Sequence, residues 1–261
     1  MEYGVEGSGG AVYGYQEPPL PIPTRAELEA AGIRIAVAVP MERNVTDWAF
    51  MHFWQIAQRG WPLISGVYGR TDVNRNRIGR FVRETPEITH VVMLDLDHLH
   101  AGNIVERLAS WVLEDRERLV VSGLHFRRSE PFDPLAFVYG PDGKLHPPVE
   151  WPRGLMEAHA VGHGSILIAR EVFERLPQPW WAYSYDEARE DVFPSEDMWF
   201  SRLCLAHGIR IWVDTTVTSP HLVTNLVDED TFRRWLADNM ERITLVDDRQ
   251  AAQAAPAAVE V

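Results

Sequence analysis

Asp95 and Asp97 are separated by one residue at the end of the apolar run His90-Val91-Val92-Met93-Leu94. Two carboxylates spaced this way on an irregular strand end can face a single divalent cation. An Asp-x-Asp pair also arises in ordinary solvated turns, and the run before it separates the two readings. An apolar strand is buried, and two anions at its mouth need a counter-charge, which favours a metal or a phosphate partner. Arg75 and Arg77 fall near the start of an arginine-rich helix over residues 74–84. Cationic side chains and free backbone N–H groups there favour phosphate, while Arg80 and Arg83 read as a solvated basic face. Glu196-Asp197 follows Pro194-Ser195, so Ser195 is a ready N-cap and the acids would complement a helix dipole on that ground alone. His221 after Pro220 reads by itself as a packed histidine. His159 and His163 flank the bend Gly162-His163-Gly164, whereas His52, His100, His125, His146 and His207 show no ligand spacing.

The elements that must position these groups alternate between strand-like and helix-like patterns, the signature of a largely parallel sheet covered by helices. Ile33 to Val39 is β-branched and stops at Pro40, giving a buried first strand. A helix capped by Thr46 runs through Trp48, Met51 and Ile56 to Gly60, and a second strand covers residues 63–68. His90 to Leu94 is the third strand; a helix over residues 103–115 leads to the strand 119–123. Pro141-Asp142-Gly143-Lys144 has turn chemistry, so the second half contains an antiparallel hairpin. Residues 160–168 combine a glycine bend with a strand, residues 196–207 are helical, and 209–213 form the next strand. Ligands in open α/β sheets gather beyond the carboxyl ends of parallel strands, where the two aspartates fall.

The order of these motifs resembles the GT-A glycosyltransferases, in particular the family-2-like members. The Asp-x-Asp element matches Asp95-Leu96-Asp97, an upstream arginine-asparagine element matches Arg75-Asn76, a later glutamate-aspartate element matches Glu196-Asp197, and a last histidine matches His221. The resemblance covers residues 32–236, and departs from the pattern at His98, where many members carry another acid. It implies a three-layer α/β/α fold, a doubly wound Rossmann-like nucleotide-diphospho-sugar transferase sheet with an antiparallel extension. It further implies a metal-dependent, hexosyltransferase-like enzyme that moves a sugar from a UDP- or GDP-sugar to an acceptor hydroxyl, with inversion. Asp95, Asp97 and His221 would then hold Mn²⁺, with Mg²⁺ as a substitute. Asp197 would be the general base, with Glu196 holding the acceptor. Pro40, Glu42, Arg75, Asn76, Asp95 and His163 would bind the donor. A nucleotidyltransferase on a similar sheet would need the carboxylates but not His221, and a non-catalytic sugar-binding module would keep the fold without donor hydrolysis.

Composition narrows the remainder. A chain of 261 residues with 46% hydrophobic content suits one large domain, here assigned to residues 32–246 between an extended arm (1–31) and an Ala-rich tail (247–261). A formal charge of −13 disfavours broad adhesion to nucleic acid or anionic membrane, so a nucleic-acid acceptor is not indicated by charge. The single cysteine, Cys204, cannot form an internal disulfide and reads as a buried thiol, which favours a reducing, cytoplasmic location. No apolar run has the length of a membrane span, and Glu2 and Glu6 with several glycines do not resemble a signal peptide. No Gly-x-x-x-x-Gly-Lys loop, dinucleotide fingerprint or nucleophile elbow is present. The donor sugar, nucleotide base, acceptor and oligomeric state are not written in these residues. The aromatic run Pro179-Trp180-Trp181-Ala182-Tyr183-Ser184-Tyr185, followed by the acidic residues 186–191, reads as a loop closing over the donor, with Trp181 or Tyr183 touching sugar.

Overall fold

The computed structural model describes residues 16–40, 47–65, 69–186, 191–192, 194–222 and 226–240. The first half runs α1 (Arg25–Ala30), β1 (Ile35–Val39), α2 (Asp47–Gln58), β2 (Leu63–Ser65), α3 (Thr71–Glu84), β3 (His90–Leu94), α4 (Ile104–Glu114) and β4 (Val120–Leu124). Next come β5 (Ala136–Tyr139), β6 (Leu145–His146), β7 (Leu155–Ala158), β8 (Ala160–Val161), β9 (Ser165–Ala169) and α5 (Arg170–Arg175). The last part holds β10 (Tyr185–Asp186), β11 (Asp191–Val192), α6 (Glu196–Ala206), β12 (Ile211–Thr218), β13 (His221–Leu222), β14 (Leu226–Val227) and α7 (Glu229–Asn239).

The central sheet has the order β2-β1-β3-β9-β4-β12-β7. β1 pairs in parallel with β2 and β3, and β4 with β12. β9 runs antiparallel between β3 and β4, and β7 antiparallel beside β12. Alternation along each strand sends side chains to two separate cores. Ala38, Val91, Met93, Val120 and Ile166 join Ile78 and Val82 of α3, Phe173 of α5 and Phe200 of α6 on one face. Val37, Val92, Leu94, Val121 and Leu167 join Leu28, Ile56, Ile104 and Leu108 on the other. β1, β3, β4 and β9 are buried throughout, and each large aliphatic side chain so placed contributes about 1.5–3 kcal/mol. This is the three-layer α/β/α arrangement with an antiparallel extension that the motif order implies. The turn at Gly143 joins β5 to β6 as an antiparallel pair, and Cys204 is buried. Among the described residues no helix is long and apolar enough to cross a membrane.

Two expectations are corrected. Residues 25–30, assigned to an extended arm, form α1: Thr24 and Glu27 make a capping box and Leu28 is buried. The Trp180-Trp181 segment is core. Trp180 and Trp181 are 0% and 1% exposed, and the Trp181 ring stacks on Phe200 with centroids 4.8 Å apart. Asn76 holds the backbone there: its Oδ1 accepts from Trp180 N at 2.9 Å and its Nδ2 donates to Trp181 O at 2.6 Å. The aromatics lack a regular period because a side-chain amide, rather than a helix or sheet ladder, fixes this backbone. Residues 187–190 of the acidic run, Glu42, Thr46 and the end of the expected second strand (66–68) lie outside the described residues.

Candidate active site

The ends of β1, β3, β4 and β12 and the start of β9 meet at one edge of the sheet, since Leu94 is in register with Ser165 and the other strands align in parallel. Beyond that edge two loops are joined backbone to backbone. Leu222 N donates to Asp97 O at 2.7 Å, Leu99 N to Pro220 O at 2.9 Å, and His98 bridges to His221. This short ladder brings the loop after β3 against the one after β12, and with it Asp97, His98 and His221. One ligand atom from each of the three lies within 4.8 Å of the others.

The surroundings prepare these groups as ligands. His221 Nδ1 donates to Phe126 O at 2.6 Å, which leaves Nε2 with its lone pair, as metal-binding imidazoles require. Burial first, then the neighbouring His98, push the His221 pKa down to about 4, so the ring is neutral at physiological pH. Burial alone would raise Asp97, but hydrogen bonding and charge from His98, then His221 and Arg128, outweigh it and hold the carboxyl well below its usual range. His98 Nδ1 stands 3.1 Å from Asp97 Oδ1, and His98 Nε2 is buried without a partner among the described residues. One carboxylate and two imidazoles, one with an orphaned buried nitrogen, fit a divalent cation. Gly164 makes room for this packing: a Cβ there would lie 2.7 Å from His98 Nε2 and 2.6 Å from His125 Cδ2. His98 carried no helical or strand spacing in the sequence; its signal was adjacency to Asp97 at the point where the family pattern breaks. His100, given little weight, is a prop. Its Nε2 donates to Asp95 O at 2.9 Å and its Nδ1 accepts from Ser219 Oγ at 3.0 Å, tying the two loops together. Burial and His98 push its pKa down to about 3.

Arg75 organises the opposite wall. It is 1% exposed, and its Nη2 donates to both oxygens of Asp95 at 2.9 and 3.0 Å. Its Nη1 donates to Glu196 at 3.0 Å and also to Asp197. Phosphate is the partner expected of Arg75 from the sequence; in the structure its guanidinium is committed to three carboxylates. Asp95, read as a metal ligand, is held bidentate by Arg75, and His98 stands where it was expected. Burial disfavours the Arg75 charge, yet Asp197, Asp95 and Glu196 raise its pKa further. Burial raises Asp95, partly offset by Arg75. Burial and repulsion from Asp197 push Glu196 up to about 7 against the pull of Arg75 and the Tyr183 hydroxyl.

The Glu196 shift has a measurable sign. Its folded value lies above the ordinary glutamate value of 4.5, so between about 4.5 and about 7 the folded state binds more protons and the stability contributed by Glu196 falls as pH rises. His221 and His100 shift the other way and lose stability as pH falls through this region. Those terms are common to wild type and Glu196→Gln. The stability of Glu196→Gln relative to wild type should therefore rise from about pH 5 to about pH 8, measured by denaturant unfolding. A difference that stays flat would show that Arg75 fully neutralises Glu196.

His163 is buried between the walls. Trp181 Nε1 donates to its Nδ1 at 3.0 Å, so Nε2 carries the proton, and that atom is buried without a partner among the described residues. Asp197 Oδ1 lies 3.3 Å from the same Nδ1. We read no ion pair there, because the lone pair is taken and burial, then Arg75, hold the imidazole well below its usual pKa. Asp197 Oδ2 accepts from His163 N at 3.3 Å instead.

Pro40, Arg75, Asp95, Asp97, His163, Glu196, Asp197 and His221 all line one cleft of about 590 Å³, joined by His98, Arg127, Arg128 and Tyr183. Asn76 does not line it; its amide serves the Trp180-Trp181 backbone. Tyr183, unlike Trp181, reaches the cleft. The Asp197 side chain is 23% exposed against 9% for Glu196, so Asp197 is the more open of the paired acids.

No protein-family model matches the sequence, and no curated protein sequence matches it. Among solved structures the fold is shared with A197 from STIV, at 14% identity and a TM-score of 0.56 over 76% of this chain and 92% of that one. GalNAc-T7 with UDP, GalNAc and Mn²⁺ aligns at 11% identity and a TM-score of 0.48, over 86% of this chain and 52% of that chain. The CMP:2-keto-3-deoxy-manno-octonic acid synthetase complexed with CTP aligns at 14% and 0.42, over 80% of this chain and 100% of the other.

Proposed function

We propose that this chain is a metal-dependent glycosyltransferase that transfers a sugar from a UDP- or GDP-sugar to an acceptor hydroxyl, with inversion. The observation that carries the reading is one cleft with a cation-ligand set, Asp97, His98 and His221, on one wall and the more open carboxylate Asp197 on the other. Asp97, His98 and His221 would hold a divalent metal, Mn²⁺ by the donor set, which would supply charge neutralisation to the diphosphate leaving group. Asp197 takes the proton from the acceptor hydroxyl. Arg75 fixes the direction of that carboxylate through the Nη1 contact. Glu196, tied to Arg75 and to the Tyr183 hydroxyl, shapes the acceptor side. The buried Nε2–H of His163 offers a hydrogen bond to a donor oxygen, and Pro40 at the end of β1 borders the nucleoside.

Ligand binding appears directly as thermal stabilisation, about 2.7 kcal/mol when ligand is at a hundredfold excess over Kd. UDP- or GDP-sugars should raise the melting temperature of wild type in Mn²⁺ and much less in a chelator. Asp97→Ala and His221→Ala should remove most of the Mn²⁺-dependent part. Stabilisation that persists unchanged in both variants would defeat the reading.

A further inference from the structure

Both oxygens of Asp97 are engaged. His98 Nδ1 stands 3.1 Å from Oδ1, and Arg128 Nη1 donates to Oδ2 at 3.3 Å. Arg128 sits on the loop that follows β4, which is pinned at its stem: Arg127 N donates to Asp133 O at 2.9 Å, Leu135 N to His125 O at 2.7 Å, and Phe126 bridges Pro134. Arg127 also pairs with Asp133 through its side chain at 2.6 Å. Arg128 lies one residue beyond that stem with its side chain 66% exposed, so it can change partners by rotating side-chain bonds alone.

A cation on Asp97, His98 and His221 and the Arg128 guanidinium compete for one carboxylate, and their like charges repel at this range. His98 belongs to the ligand group, so Arg128 is the partner that must leave. Arg75 is held by three carboxylates and Arg127 by Asp133. Arg128 is therefore the cleft-lining arginine with the loosest hold, and a guanidinium fork matches phosphate oxygens.

We propose that Arg128 is an exchange residue. It neutralises Asp97 until a divalent cation takes that carboxylate, and then turns onto a phosphate oxygen of the nucleoside diphosphate. The inference rests on the nucleotide-sugar reading above and adds an order of binding: cation first, nucleotide second. Each ligand tightens the other, because coupling between sites is reciprocal.

The exchange gives one substitution two effects of opposite sign, which a purely structural role would not. Mn²⁺ alone, and UDP or GDP at saturating Mn²⁺, would be titrated by calorimetry into wild type, Arg128→Gln and Arg128→Lys. Arg128→Gln should bind Mn²⁺ alone about threefold more tightly, the scale of a lost exposed ion-pair competitor. It should bind UDP or GDP in Mn²⁺ about tenfold more weakly, as expected for one lost charge-assisted contact. Arg128→Lys should lie between wild type and Arg128→Gln in both titrations. If wild type binds Mn²⁺ and a nucleotide but Arg128→Gln moves both affinities the same way, or leaves either unmoved, the exchange is wrong and the nucleotide-sugar reading stands. If wild type binds neither Mn²⁺ nor either nucleotide, that reading falls and the exchange with it.

Discussion

Asp197→Asn is expected to retain Mn²⁺-dependent binding of the nucleotide sugar while transfer falls by roughly two to four orders of magnitude, the scale of a positioned general base. The substitution preserves shape and one acceptor oxygen but removes the group that takes the acceptor proton. Asp197 is the candidate over Glu196 because a base must first reach the attacking oxygen, and its side chain is the more exposed of the two, 23% against 9%. The raised pKa of Glu196, about 7, suits a base in value, yet its carboxylate is tied to Arg75 and the Tyr183 hydroxyl. Single-turnover kinetics at saturating donor would decide. Near-normal transfer by Asp197→Asn, with collapse in Glu196→Gln, would exchange the two roles; near-normal transfer in both would leave the pair as partners of Arg75 only.

Arg75→Met should be the most destabilising single change in the cleft. It removes the guanidinium that, among the described residues, pairs with Asp95, Glu196 and Asp197 together. Breaking a buried ion pair from one side costs about 3–5 kcal/mol, roughly 6–20 °C in melting temperature for a chain of this size. The loss should shrink as pH falls, because protonating Asp95 and Glu196, both already raised by burial, relieves the repulsion left behind. Arg75→Lys should recover less than about half of the loss, since one ammonium cannot present the fork that serves three carboxylates at once. Unfolding measured at several pH values checks both statements; a loss below about 1 kcal/mol at neutral pH, with no pH trend, would remove Arg75 from its central place.

The parts of this protein legible in its sequence are those with local physical causes. β1, β3, β4 and β9 are runs of apolar residues that can only be buried, and α4 and α6 fall within a residue of their expected bounds. The layered sheet follows from their alternation, and its carboxyl edge locates Asp95 and Asp97 without any tertiary information. Which groups face one another was decided elsewhere. The antiparallel insertion of β9 between β3 and β4 carries the bend at His163 into the site. The ladder between the loops at 97–99 and 220–222 sets His98, rather than Asp95, beside Asp97 and His221. Arg75 turns inward because α3 begins at Thr71 and buries the face that carries Asn74, Arg75, Ile78 and Val82, so a residue read as a phosphate binder became the hub of three acids. Trp180 and Trp181 became core through the amide of Asn76, more than a hundred positions away in the chain. Residue types and short-range periodicity determine strands, helices and the edge where chemistry can occur, because burial and backbone hydrogen bonding act over a few residues. Pairing a particular carboxylate with a particular imidazole or guanidinium depends on contacts between segments far apart in the chain, and those exist only once the sheet has closed.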